Sequence, residues 1–149
     1  MKITEFKGAY SFLSNFYLSP ITFEYLNEIW HADTVEHAFQ AMKSDQKDDV
    51  AHILRSLNAG VAKRRGRKLI IRPDWDKVKD DVMLELLRLK FAIPDLRDKL
   101  LATENATLIE GNTWGDTYWG VCRGIGDNTL GVLLMQVRSE IKRSLQLIN

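Results

Sequence analysis

Ala32-Asp33-Thr34-Val35-Glu36-His37-Ala38-Phe39-Gln40-Ala41-Met42-Lys43 reads as the opening of an amphipathic helix. Asp33 is placed to cap it, with Glu36 three residues on. Val35, Ala38, Phe39 and Met42 follow the i, i+3, i+4, i+7 rule of a core-facing stripe. Glu36, Gln40 and Lys43 repeat the same spacing on a neighbouring stripe, so a carboxylate, an amide and an amine line up at the border of core and solvent. Two readings of that stripe stay open. Glu36 completes a capping box and Lys43 is solvated, or the three residues form a pocket wall.

Upstream, Ile3 to Phe6 is expected to be a short strand. Tyr10 to Tyr17 is an aromatic loop in which Asn15 and a ring either face a ligand or pin the loop to the core. Ile21, Phe23 and Tyr25 alternate with polar residues at strand period, and Asn27 turns the chain back through Ile29, Trp30 and His31. Downstream, a second helix is expected over Asp48 to Leu57, with Val50, Ile53, Leu54 and Leu57 on one face and Asn58 and Gly60 as stop signals. A long helix opens at Pro73-Asp74-Trp75-Asp76, carries the stripe Trp75, Val78, Val82, Leu86 and Leu89, and stops before Pro94. Lys90 sits late in it, where a cation suits the helix dipole. A shorter helix through Leu96, Leu100 and Leu101 follows, then a strand at Thr107 to Glu110. Asn128 is placed to cap a final helix with Leu130, Leu133, Leu134, Val137, Ile141 and Leu145 facing the core. Strands, several helices, one strand and a final helix predict a compact, mainly helical α+β fold with a small sheet, in one domain over 1–149.

Composition excludes several classes. With 149 residues and a net charge of +1, the chain has length for one core and no global field that would draw it to DNA or a membrane. Three histidines without ligand spacing and one cysteine argue against a zinc site or disulfide framework. No apolar leader or bilayer-length run is present, so a soluble, cytoplasmic protein is expected. Cys122 has no evident base beside it. The glycines from Gly120 to Gly126 lack the βαβ setting of a dinucleotide fingerprint.

Two stretches remain chemically suggestive. Lys63-Arg64-Arg65-Gly66-Arg67-Lys68 is the one dense basic run; it is either a solvated helix end or a phosphate site, where arginines bind oxygens in pairs and Gly66 admits close backbone approach. The segment Gly111 to Asn128 is long, combining glycines, two tryptophans, Asp116 and Arg123. Long loops of this kind tend to serve ligands, and tryptophan faces stack on planar bases.

These pieces together resemble the NADAR domain family. The resemblance rests on Leu13-Ser14-Asn15-Phe16, Glu36-His37 with Phe39-Gln40 and Lys43, Gly66-Arg67, Trp75, Met83, Lys90-Phe91, Leu100-Leu101 with Thr103, Glu110, Asp116, Trp119-Gly120, and Asn128 with Leu130-Gly131, Leu134-Met135 and Arg138. It departs at Val35, where relatives commonly have serine, and in the length and content of Gly120 to Asn128. The resemblance implies an N-glycosidase that needs no metal or redox cofactor. Its substrates would be ribosylamino-pyrimidine phosphates of riboflavin synthesis or ADP-ribosylated guanine in nucleic acid. It implies Glu36 as the first candidate carboxylate, Asp116 as the second, and Lys43 as a candidate Schiff-base nucleophile. Gln40 would orient a ribose hydroxyl, Trp119 with Trp75 or Phe16 would stack on the base, and Arg67, with Arg65, would hold a phosphate. Asn15, Gly120 and Asn128 complete the expected binding set. The competing class is a non-catalytic module that holds ADP-ribose or NAD as a sensor; a nucleic-acid-binding protein using the basic run is a weaker third.

Overall fold

The computed structural model describes residues 1–148. The chain divides into two units, Asn15–Lys90, and Met1–Ser14 with Phe91–Asn149.

In the Asn15–Lys90 unit the alternating segment folds as predicted. Strand β2 (Ile21–Tyr25) pairs antiparallel with β3 (Glu28–Ala32), with Phe23 opposite Trp30. Ile21 and Phe23 are buried while Thr22 and Glu24 are exposed, as a half-buried hairpin requires. The connecting Leu26 and Asn27 both take positive φ, 52° and 61°, the conformation of a two-residue turn that matches strand twist. Trp30 Nε1 donates to the Tyr25 carbonyl at 2.8 Å and closes the turn end.

Helix α1 (Val35–Ala41) follows, and all seven residues are buried. Thr34, not Asp33, is its cap: its hydroxyl accepts the His37 N–H at 3.1 Å. The expected capping box is absent, because the Glu36 side chain turns along the helix to Gln40. The same hydroxyl lies 2.8 Å from His37 Nδ1, and His37 Nε2 lies 3.0 Å from the Ser56 carbonyl. A carbonyl only accepts, so Nε2 carries the proton and the Thr34 hydroxyl donates to Nδ1. His37 is thereby a satisfied core residue. The helix stops at Met42, where Lys43 N–H and Ser44 N–H bond three residues back to Gln40 and Ala41. Lys43 therefore stands two residues past the helix rather than on it.

Helix α2 (Lys47–Leu54) ends three residues earlier than expected, and Leu57 is 87% exposed rather than part of the core face. Asn58 is a start signal, not a stop: its side chain accepts the Val61 N–H at 2.9 Å and caps α3 (Ala59–Gly66). Most of the basic run is therefore helical. Helix α4 (Trp75–Phe91) ends ahead of Pro94, as predicted. Leu86 and Leu87 are buried while Leu89 is 40% exposed, so the core stripe turns past Leu89 and takes in Lys90 instead.

Lys90 is fully buried, its ammonium 5.6 Å from the Tyr17 ring centroid, and burial draws its pKa down to about 7. It sits in the last turn of α4, where a cation suits the helix dipole as expected, and it is a core residue as well. The folded value lies below the ordinary 10.5, so the unfolded chain binds the extra proton between the two and stability rises with pH across that window. Lys90→Met keeps the volume and is expected to flatten this rise, read as thermal midpoints compared across the window from about 7 to 10.5.

In the other unit, β1 (Lys2–Ile3) pairs parallel with β4 (Thr107–Leu108), both shorter than expected. A 3-10 helix occupies Gly8–Leu13 where a loop was expected. Helix α5 (Pro94–Leu101) has Pro at its start and buries Leu96 and Leu100. The glycine-rich segment is not structureless: β5 (Gly111–Asn112) pairs parallel with β6 (Val121–Cys122). Helix α6 (Thr129–Ile148) buries Leu130, Leu133, Leu134 and Val137 and leaves Leu145 38% exposed. Arg138, also buried, donates to the Thr103 hydroxyl at 2.8 Å. The fold is mainly helical α+β. Among the described residues no helix is long and apolar enough to cross a membrane.

Candidate active site

The stripe on α1 forms a polar cluster inside the Asn15–Lys90 unit. Glu36 and Gln40 are one helical turn apart and both buried, 7% and 4% exposed. Gln40 Nε2 donates to Glu36 Oε1 at 2.7 Å. The Glu36 N–H donates to the Asn15 carbonyl at 3.1 Å, tying the aromatic loop to the first turn of α1. Asn15 is itself buried, with Nδ2 3.5 Å from Met83 Sδ. The side-chain oxygens of Asn15 and Gln40 have no protein partner.

Electrostatics connect this pair to nearby cations. Burial pushes the Glu36 carboxyl above its ordinary 4.5, opposed by the Gln40 hydrogen bond and by the charges of Lys63 and Lys43. Burial pushes Lys43 below its ordinary 10.5; the Glu36 charge opposes this, and Lys63, Arg67 and Lys79 reinforce it. The acid and the amine thus drift toward each other, toward a carboxyl that holds a proton and an amine that releases one. Such opposed shifts in a carboxyl–amine pair mark groups suited to proton transfer and nucleophilic attack.

Aromatic rings frame the cations. The Lys43 ammonium lies 5.9 Å from the Phe39 ring centroid, and Lys63 lies 5.9 Å from that of Phe16. Phe16 is 47% exposed, the most accessible ring of this group. Trp75 is 7% exposed and spends its ring on Phe39, centroids 5.0 Å apart, which leaves little surface for a base.

The basic run separates into two jobs. Arg65 Nη1 donates to the His52 carbonyl at 3.2 Å and to Ser56 Oγ at 3.3 Å, locking α3 to α2. Arg67 is exposed and, with Val61, Arg64, Arg65 and Lys68, lines a surface cavity of about 460 Å³ with no acidic side chain in its wall. That wall suits an anion.

The other expected residues lie in the other unit, where each has local work. Asp116 Oδ1 accepts the N–H groups of Tyr118 and Trp119 at 3.1 and 2.9 Å, while Asn112 clasps both the Asp116 N–H and its carbonyl. Trp119 packs edge-on against Tyr118, centroids 5.0 Å apart. A side chain at Gly120 would place its first carbon 2.3 Å from the Glu110 carbonyl oxygen, so glycine there serves the close packing of the segment. The Asn128 side chain does not cap α6; it accepts the Glu110 N–H and donates to the Leu108 carbonyl, both at 2.9 Å. Sequence reasoning missed Lys63 as a neighbour of Glu36. Only the capping role of Asn58, which starts α3, could have put Lys63 on a helix facing α1.

A small mainly helical α+β scaffold with a buried carboxyl, a half-buried amine and a cation-lined surface cavity has the features of a hydrolase. The chain belongs to the NADAR family: the NADAR domain profile matches residues 4–142. It is 40% identical over 136 residues to the N-glycosidase YbiA of Escherichia coli strain K12, covering 89% of this chain and 82% of that protein. The solution NMR structure of E. coli YbiA superposes with a TM-score of 0.82 at 36% identity, over 98% of this chain and 89% of that one. A maize chloroplastic riboflavin biosynthesis protein, PYRR, is 36% identical over 122 residues, 72% of this chain and 19% of that longer protein.

Proposed function

We propose that this protein is an N-glycosyl hydrolase that cleaves the bond between a ribose carbon and an amino nitrogen of a base, with a ribosylamino-pyrimidine phosphate as substrate. The observation that carries the reading is the buried Glu36–Gln40 pair with the half-buried Lys43 amine in electrostatic contact with it, a carboxyl and an amine whose pKa values are drawn together. The relatives named as N-glycosidases and as a riboflavin biosynthesis protein support the reaction and the substrate class.

The residues suggest the following sequence. An exocyclic N-glycoside opens its ring to an imine at the ribose carbon, with a proton delivered to the ring oxygen. The neutral Lys43 amine adds to that carbon, forming a carbon–nitrogen bond, and its nitrogen gives up one proton, which balances the one taken up by the ring oxygen. Glu36 donates a proton to the base nitrogen, and the carbon–base bond breaks to release the amine as the lysine nitrogen's electron pair forms the lysine imine. Water then adds to the lysine imine, with Glu36, now ionised, accepting a water proton, and ribose phosphate leaves as the lysine amine is regenerated. Phe16 offers a stacking face for the pyrimidine, and Arg64, Arg67 and Lys68 a cavity for the phosphate.

Purified protein is assayed against a ribosylamino-pyrimidine phosphate and, in parallel, a short single strand carrying ADP-ribosylated guanine. Release of ribose phosphate from the first is the expected result. Cleavage of the second alone moves the substrate to modified nucleic acid. Failure to cleave either, with ADP-ribose still bound, overturns the hydrolase reading in favour of a sensor.

A further inference from the structure

Gly66 has a backbone any residue could adopt, since its φ is not in the left-handed region. Space explains it instead. A first side-chain carbon at Gly66 would lie 2.0 Å from Gln40 Oε1, 2.8 Å from Gln40 Cδ and 3.2 Å from Gln40 Cβ. No other residue comes nearer to that point. Gln40 Oε1 is one of the two buried side-chain oxygens without a protein partner, so it lies against Gly66 with only a weak C–H contact to hold it. The opposite end of the same amide donates to Glu36 Oε1 at 2.7 Å. The last turn of α3 thus meets the Gln40 side chain of α1, most closely at Oε1, and that atom's position decides whether the amide N–H faces Glu36.

We infer that Gly66 is a positioning residue: the hydrogen in place of a side chain holds the Gln40 amide with its N–H toward the Glu36 carboxyl. This deepens the hydrolase reading and rests on it for its effect on turnover. The atoms that must yield most to a larger residue, Oε1 and Cδ, are the tip of a side chain, and the approach to Gln40 Cβ at 3.2 Å asks for a shift of only a few tenths of an ångström. The fold can therefore absorb Gly66→Ala where the Glu36–Gln40 hydrogen bond cannot. The hydrogen bond favours ionised Glu36, so its loss moves the carboxyl's titration upward.

The test is a double-mutant cycle read by carbon-13 NMR titration of the Glu36 carboxyl, which needs no substrate, alongside turnover. Gly66→Ala is expected to move the Glu36 titration to higher pH and to lower kcat about 100-fold, as misplacement of a supporting group by an ångström does. Gln40→Ala is expected to give the same upward movement. Gly66→Ala added to Gln40→Ala is expected to change neither further, because the atom it displaces is gone. An unmoved titration in a folded Gly66→Ala protein, or full additivity in the cycle, overturns the inference. If wild type cleaves nothing while the titrations behave as stated, the hydrolase reading fails and the positioning role stands. Should Gly66→Ala not fold, Gly66→Ala in the Gln40→Ala background, where the two closest approaches are gone and only that of 3.2 Å to Cβ remains, must fold for the inference to survive.

Discussion

Lys43→Met is expected to lower turnover by about 10⁴-fold or more, the scale of removing a covalent nucleophile, while the protein remains folded. The methionine keeps the length and apolar stem of the lysine, and the Phe39 ring beside the ammonium still packs against it. Borohydride treatment of wild type during turnover is expected to leave a reduced sugar adduct on Lys43, and the variant none. The pH dependence has a definite sign. Attack needs the neutral amine, and burial holds Lys43 below its ordinary 10.5, so kcat rises as pH passes upward through the lowered value. The same shift costs stability where the folded lysine is still charged, so the variant is expected to match or exceed the wild-type thermal midpoint at neutral pH. Substantial turnover by Lys43→Met would remove the imine route and leave a carboxylate-driven displacement.

What the sequence made legible follows physical range. The β2–β3 hairpin, α4, α5 and α6 were readable because their signals are local: two-residue alternation, the 3.6-residue stripe, and Pro94 as a boundary. The same holds for the i, i+4 pairing of Glu36 with Gln40. Boundaries set by competing caps were not readable. Asp33 and Thr34 are both good caps, and only the His37 side chain, which completes a second bond to the Thr34 hydroxyl, decides between them. Asn58 fits a stop or a start equally well in sequence, and α3 was lost with that choice. Arg65 and Arg67 are indistinguishable in a basic run; the His52 carbonyl and Ser56 hydroxyl, brought near by folding, hold one and leave the other exposed. Nothing local to Gly66 announces that a side chain there would meet the Gln40 amide, 26 residues upstream. Lys90 shows the limit most plainly, since spacing placed it at a helix end and only tertiary packing buries it.

Glu36→Gln is expected to cost about 10²–10⁴ in kcat, the usual weight of a positioned acid–base group, and to stabilise the fold at neutral pH. The stability argument runs through protons bound. Burial raises the folded carboxyl above its ordinary 4.5, so between those two values the folded chain holds a proton the unfolded chain has lost, and stability falls as pH rises through that window. Glutamine carries no charge to desolvate, and its side-chain oxygen still accepts the Gln40 N–H. The gain in thermal midpoint is therefore expected at neutral pH and should vanish below about 4.5. Kinetics of the variant then separate the two halves of the reaction. If Glu36 chiefly activates water against the lysine imine, the variant still releases base once per active site and accumulates the borohydride-trapped adduct. If Glu36 chiefly protonates the leaving base, that first release is lost as well. A variant with wild-type turnover would return Glu36 to a purely structural role in the first turn of α1, bonded through its N–H to the Asn15 carbonyl.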